Sequence, residues 1–95
     1  MNDPKVIEPL AEYAHNAWSG WMQYLFSKAT DNPDGTVTIP ELSVSRWKRQ
    51  MNTDYAELPD NEKTSDRIEA ERIVSVIERI QRMEKVTPSA MTIAG

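Results

Sequence analysis

Residues 55–70 read YAELPDNEKTSDRIEA, and their reading decides the fold. Leu58-Pro59 closes whatever precedes it, because a residue before proline avoids the helical region. Beyond Pro59 the polar side chains fall at helical spacing: Glu62, Lys63, Asp66 and Arg67 occupy about a turn and a half of helix. Apolar residues then recur every three or four positions at Ala70, Ile73, Val74, Ile77 and Ile80, flanked by Ile68, Val76 and Met83. That period predicts a long C-terminal helix from about Pro59 to Lys85, with the apolar row facing a core. Thr87-Pro88 is the predicted stop, and 89–95 the predicted flexible tail.

Upstream, Thr53 is read as the cap of one short turn through Glu57. Thr38-Ile39-Pro40-Glu41 has the form of a capping box, which predicts a middle helix over Ile39–Asn52 with Leu42, Trp47 and Met51 inward. Before it, Asn32-Pro33-Asp34-Gly35 is turn chemistry, so Thr30–Thr38 is read as a loop. At the N-terminus, Asp3-Pro4 is a helix-start signal. Pro9 should interrupt the helix begun there, leaving a short turn and then a main helix over Pro9–Lys28. That helix carries two apolar stripes, Leu10/Ala14/Ala17/Trp21/Tyr24/Leu25 and Ala11/His15/Trp18/Met22/Phe26. Two stripes mean burial on two sides: either the helix is central, or one stripe meets a partner chain. The expected architecture is an all-α bundle of a long N-terminal helix, a shorter middle helix and a long C-terminal helix, joined by loops with short helical turns.

Composition bounds the function. Ninety-five residues make one domain, taken as 1–88. The chain has no cysteine and one histidine, so thiol chemistry, disulfides and multi-histidine metal sites are excluded. The net charge of −4 argues against a general nucleic-acid binder. No apolar run is long enough to span a membrane, and the opening Met-Asn-Asp-Pro-Lys is not a signal peptide. The chain therefore reads as soluble and cytoplasmic, with no cofactor.

Four groups of residues are candidates for function, each with a plainer reading beside it. Tyr55, Glu62, Lys63, Asp66 and Arg67 could share one ligand-facing side, or Glu62/Asp66 and Lys63/Arg67 could be the charge rows of a solvated helix. His15, Trp18 and Tyr24 could clamp a flat ring, or His15 could be an interior histidine bonded to its neighbours. Arg46-Trp47-Lys48-Arg49 could hold phosphate, or could be the solvated side of a helix that Trp47 anchors. TDNPDGTVTIPE at 30–41 imitates a calcium loop, with Gly35 at the turn and Glu41 at the bidentate position, but Thr30 stands where a carboxylate belongs. No nucleophile, base and acid fall together, so no catalytic residue is assigned and the chain is not read as an enzyme.

Two of these groups carry a likeness. His15-Asn16-Ala17-Trp18 on the first helix, with Tyr55, Leu58, Glu62-Lys63, Asp66-Arg67 and Ala70 later, resembles the pattern of ryanodine-receptor repeat (RyR-type) domains over Leu10–Ile80. The middle departs from that pattern: Asp34-Gly35 and the Trp47 helix replace the family's Gly-Trp/Tyr-rich connection and apolar-Pro-Tyr segment. The resemblance implies a helical, non-enzymatic binding module like the small stand-alone bacterial and phage members, which are suggested to recognise nucleotide-derived ligands in phage–host conflict. It makes His15, Trp18, Tyr55, Lys63, Asp66 and Arg67 the expected ligand-binding residues, with Asp66 and Arg67 alternatively a structural clasp. The other expectation is a protein-interaction module, including self-assembly as a homo-oligomer, that uses the apolar face of the first helix.

Overall fold

The computed structural model describes residues 3–94, with side chains as far as Glu84. Three helices dominate: α1 (Pro4–Lys28), α2 (Glu41–Met51) and α3 (Asp60–Ala94). A hairpin of two short strands, β1 (Thr30–Asp31) and β2 (Val37–Thr38), joins α1 to α2, and a 3-10 turn (Tyr55–Glu57) joins α2 to α3. The all-α class expected from the sequence is the class observed. The backbone divides into two compact units, Met1–Asn16 with Ser65–Gly95, and Ala17–Thr64.

α1 starts five residues before the expected point and runs through Pro9. Its first turn is held by Asp3, whose carboxylate accepts the Lys5 amide at 2.9 Å and whose carbonyl accepts the Val6 and Ile7 amides at 2.9 Å. Pro4 is the first helical residue, where its missing N–H loses nothing. A helix capped this firmly tolerates Pro9, whose fixed φ is helical and whose absent donor removes one bond near the end of the rod.

In the first unit, Tyr13 on α1 faces Glu69 on α3. The Tyr13 hydroxyl donates to the Glu69 carboxylate, which also accepts from Arg72 at 2.6 Å. The covered positions follow helical spacing on each rod: Val6, Leu10 and Tyr13 on α1; Glu69, Val76 and Ile80 on α3. The expected inward row of α3 is only partly right. Ile80 is buried, but Ile73, Val74 and Ile77 are each at least two-fifths exposed. The covered stripe runs through 69, 76 and 80, one edge of the apolar arc, because the Glu69–Tyr13 contact sets the rotation of the helix. The α3 range also takes in Thr87-Pro88, the expected stop. The expected tail, 89–95, lies outside the residues whose side chains are described.

In the second unit, the loop over 30–38 is a hairpin with Thr30 opposite Thr38 and Asp31 opposite Val37. Gly35, at φ +88°, makes the turn that residues with a Cβ disfavour. The Asp34 carboxylate accepts the Thr36 amide at 3.0 Å and its hydroxyl at 2.6 Å, and the Asn32 amide donates to the Thr36 and Thr38 hydroxyls. Thr38 is thereby part of the hairpin, so the expected capping box does not form. α2 instead begins after Pro40, with no side-chain cap. Its inward face also differs from expectation. Leu42 and Met51 are 85% and 75% exposed, while Ser43 is buried and Trp47 and Gln50 are half-buried. Positions 43, 47 and 50 form a proper i, i+4, i+7 row, which 42, 47 and 51 do not. At its far end, Thr53 serves α2 rather than the next turn, donating to the Arg49 carbonyl at 2.6 Å. Leu58 is buried, and α3 starts within one residue of the expected Pro59.

Candidate functional site

Within Ala17–Thr64, the second half of α1 is held against α2 by its tyrosine. The Tyr24 ring meets the Trp47 ring in a tilted pairing, with centroids 6.2 Å apart and planes at 56°, within the distance range of aromatic pairs. The Tyr24 hydroxyl accepts from Arg46 at 3.0 Å, and the Lys28 ammonium lies 5.4 Å from the Tyr24 ring centroid. α2 is held in turn to the first turn of α3, where Arg49 donates to Glu62 at 2.5 Å. Glu62 is mostly covered, and its other carboxylate oxygen is buried without a hydrogen-bond partner among the described residues.

These contacts bear on the basic patch at 46–49. Two of its three cations are engaged inside the chain, Arg46 with Tyr24 and Arg49 with Glu62. A phosphate there would compete with both.

Of the residues expected at a ligand site, the structure brings Tyr55 and Lys63 together, with the Lys63 ammonium 5.7 Å from the ring centroid. Tyr55 is nearly half exposed and Lys63 half-buried. Trp18 lies in the same unit, on α1, and is 57% exposed. His15, Asp66 and Arg67 belong to the other unit, where all three are exposed. Among the described residues, no group of three or more His, Cys, Asp and Glu is placed to hold a metal ion. Within the calcium-like loop, Asn32 and Asp34 are instead bonded to Thr36.

What the sequence understated is the state of the α1 aromatics. Trp21 is 62% exposed and Phe26 58%, beside Trp18, and Tyr24 is nearly half exposed. Met22 and Leu25, between them in sequence, are half-buried. The two stripes were legible as a pattern; which rings stay uncovered depends on how α2 sits, and the misread rotation of α2 hid that. Two structural pairs were also missed, Tyr13–Glu69 and Arg49–Glu62, whose partners are 56 and 13 residues apart in sequence. No local spacing announces either of them.

Among the described residues, no helix is long and apolar enough to cross a membrane. Compared with known proteins, the chain matches no family model, no curated protein and no solved structure.

Proposed function

We propose that this chain is a non-enzymatic docking module whose binding surface is the aromatic face of α1. The observation that carries this reading is the run of Trp18, Trp21 and Phe26, three large rings each more than half exposed within nine residues of one helix. An isolated exposed apolar side chain is ordinary, but a cluster of large ones marks a surface that something covers. Tryptophan and tyrosine also dominate the energetic centres of protein interfaces, because they bring a large rigid area at a small entropy cost. The contacts of Tyr24 with Trp47, Arg46 and Lys28 fix this part of α1 before a partner arrives. Preorganisation of that kind lowers the entropy lost on binding.

The test is differential capture from a bacterial lysate on immobilised wild type and on a Trp18→Ala/Trp21→Ala variant of equal helix content. Each protein lost with the two indoles is then reconstituted from purified components. Purified binding that disappears with the indoles supports the docking face. If no protein, including the chain itself, depends on them, the reading fails.

A second reading follows the RyR-type resemblance: recognition of an anionic, nucleotide-derived ligand. The feature that supports it is the Lys63 ammonium beside the exposed Tyr55 ring, a cation next to a surface on which a base can stack. A thermal-shift screen against nucleotides tests it. A ligand at a hundred times its Kd should raise stability by about 2.7 kcal/mol. A flat response across nucleotides removes this reading.

A further inference from the structure

We propose that the occupant of the α1 aromatic face is a second copy of the same chain, related to the first by a two-fold axis. This rests on the docking reading above and names its partner. Three observations point to the copy.

The first is charge. From Tyr13 to Ser27 the chain carries no Asp, Glu, Lys or Arg, although its net charge is −4. Apart from Lys28 and Arg46 at its Tyr24 edge, that stretch gives an acidic or basic partner nothing to be recognised by, since charge complementarity selects and steers partners. Across that stretch two copies of an acidic chain can approach without placing its own carboxylates on carboxylates.

The second is area. An aromatic side chain contributes about 150–250 Å² when buried. The exposed fractions of Trp18, Trp21 and Phe26 then leave about 350 Å² of aromatic surface open on that side of α1. A standard specific interface buries about 800 Å² per partner. Those three residues thus supply about two-fifths of one side, before the exposed side chains that flank them are added.

The third is self-complementarity. In a two-fold contact the same patch meets itself, so its chemistry must suit its own copy. Rings that prefer offset or edge-to-face pairing satisfy one another, whereas a patch of one charge does not. Holding α1 fixed through Tyr24 and Trp47 gives both copies the same preset surface.

Sedimentation equilibrium of the full chain, from micromolar to millimolar concentration, decides the matter together with acrylamide quenching in a Trp47→Phe background. The background leaves Trp18 and Trp21 as the reporters. The expected result is a reversible monomer–dimer equilibrium. Trp21→Glu and, separately, Phe26→Glu should each weaken it at least about 30-fold, the effect of losing an interface hot spot. Circular dichroism checks that each variant remains helical; if one unfolds, the other decides. A chain that stays monomeric with readily quenched indoles overturns the self-partner proposal and leaves the docking reading standing. A monomer with shielded indoles overturns both, because the chain then covers the face itself. A dimer indifferent to both substitutions overturns the placement of the interface on α1.

Discussion

Replacing Arg49 by alanine removes the hydrogen-bond donor that the Glu62 carboxylate has among the described residues. Arg49 donates to one oxygen at 2.5 Å, and the second oxygen is already buried without a partner there. The Glu62 side chain is 11% exposed and that of Arg49 47%. Removing one member of a fully buried ion pair costs about 3–5 kcal/mol, and an exposed pair is worth about 0–1 kcal/mol. With the guanidinium half in water, the Arg49→Ala loss falls between these limits, at about 1–2 kcal/mol. For a domain of this length, 1 kcal/mol moves Tm by about 4–8 °C, so a drop of roughly 5–15 °C is expected. The assay is thermal unfolding followed by circular dichroism for wild type, Arg49→Ala, Glu62→Gln and the double variant. Because Glu62→Gln removes the stranded charge, the double variant should melt above Arg49→Ala, and the cycle should show coupling. An Arg49→Ala variant melting within about 2 °C of wild type, or a cycle with no coupling, refutes the reasoning.

Other outcomes rest on single contacts. Gly20 and Gly35 should respond oppositely to alanine, although a Cβ at either site meets nothing within 4 Å. Gly20→Ala, in a helix interior, should stabilise by about 0.5–1 kcal/mol, and Gly35→Ala, at positive φ, should destabilise by about 1–2 kcal/mol, both read by chemical denaturation. The Glu69 carboxylate, accepting the hydrogen bond of Tyr13, raises the Tyr13 hydroxyl above its ordinary pKa. Its contribution to stability should therefore be complete below the ordinary tyrosine range and vanish as pH rises through the raised value. Tyr13→Phe should abolish that alkaline step in a pH-dependent denaturation series. Asp34 titrates below its ordinary value because it accepts the hydroxyl and then the amide of Thr36. The hairpin should therefore keep its stability above the ordinary aspartate range and lose it as pH falls through the lowered value. NMR of the Thr36 amide should report the loss, and Asp34→Ala should remove the pH dependence.

The parts of the fold written locally were legible in the sequence. Asp3-Pro4, Leu58-Pro59 and the 3.6-residue apolar period located the helices, because caps, prolines and periodicity act within a turn of where they sit. Rotation was not legible. α2 turns Ser43, Trp47 and Gln50 inward and leaves Leu42 and Met51 in solvent, with Trp47 on Tyr24 and Arg49 on Glu62, long-range contacts that no local spacing contains. The hairpin was hidden because two-residue strands have no detectable period. Thr38 looked like a cap, but its hydroxyl accepts from Asn32 across the turn. At the candidate site, the likeness that singled out six residues grouped Tyr55 with Lys63, and these two do meet. The exposed rings of α1 stood in plain view as two stripes. Which rings stayed uncovered was settled by the packing of α2, a tertiary outcome that no single-helix pattern contains.

Pairing of the α1 face with its own copy requires indoles that are open in one chain and covered in two. Acrylamide quenching of the Trp47→Phe chain, followed as its concentration rises, addresses this most directly. Ready quenching in dilute solution that falls over the same range in which sedimentation shows a dimer is the expected result. Quenching that stays constant across that range contradicts the account.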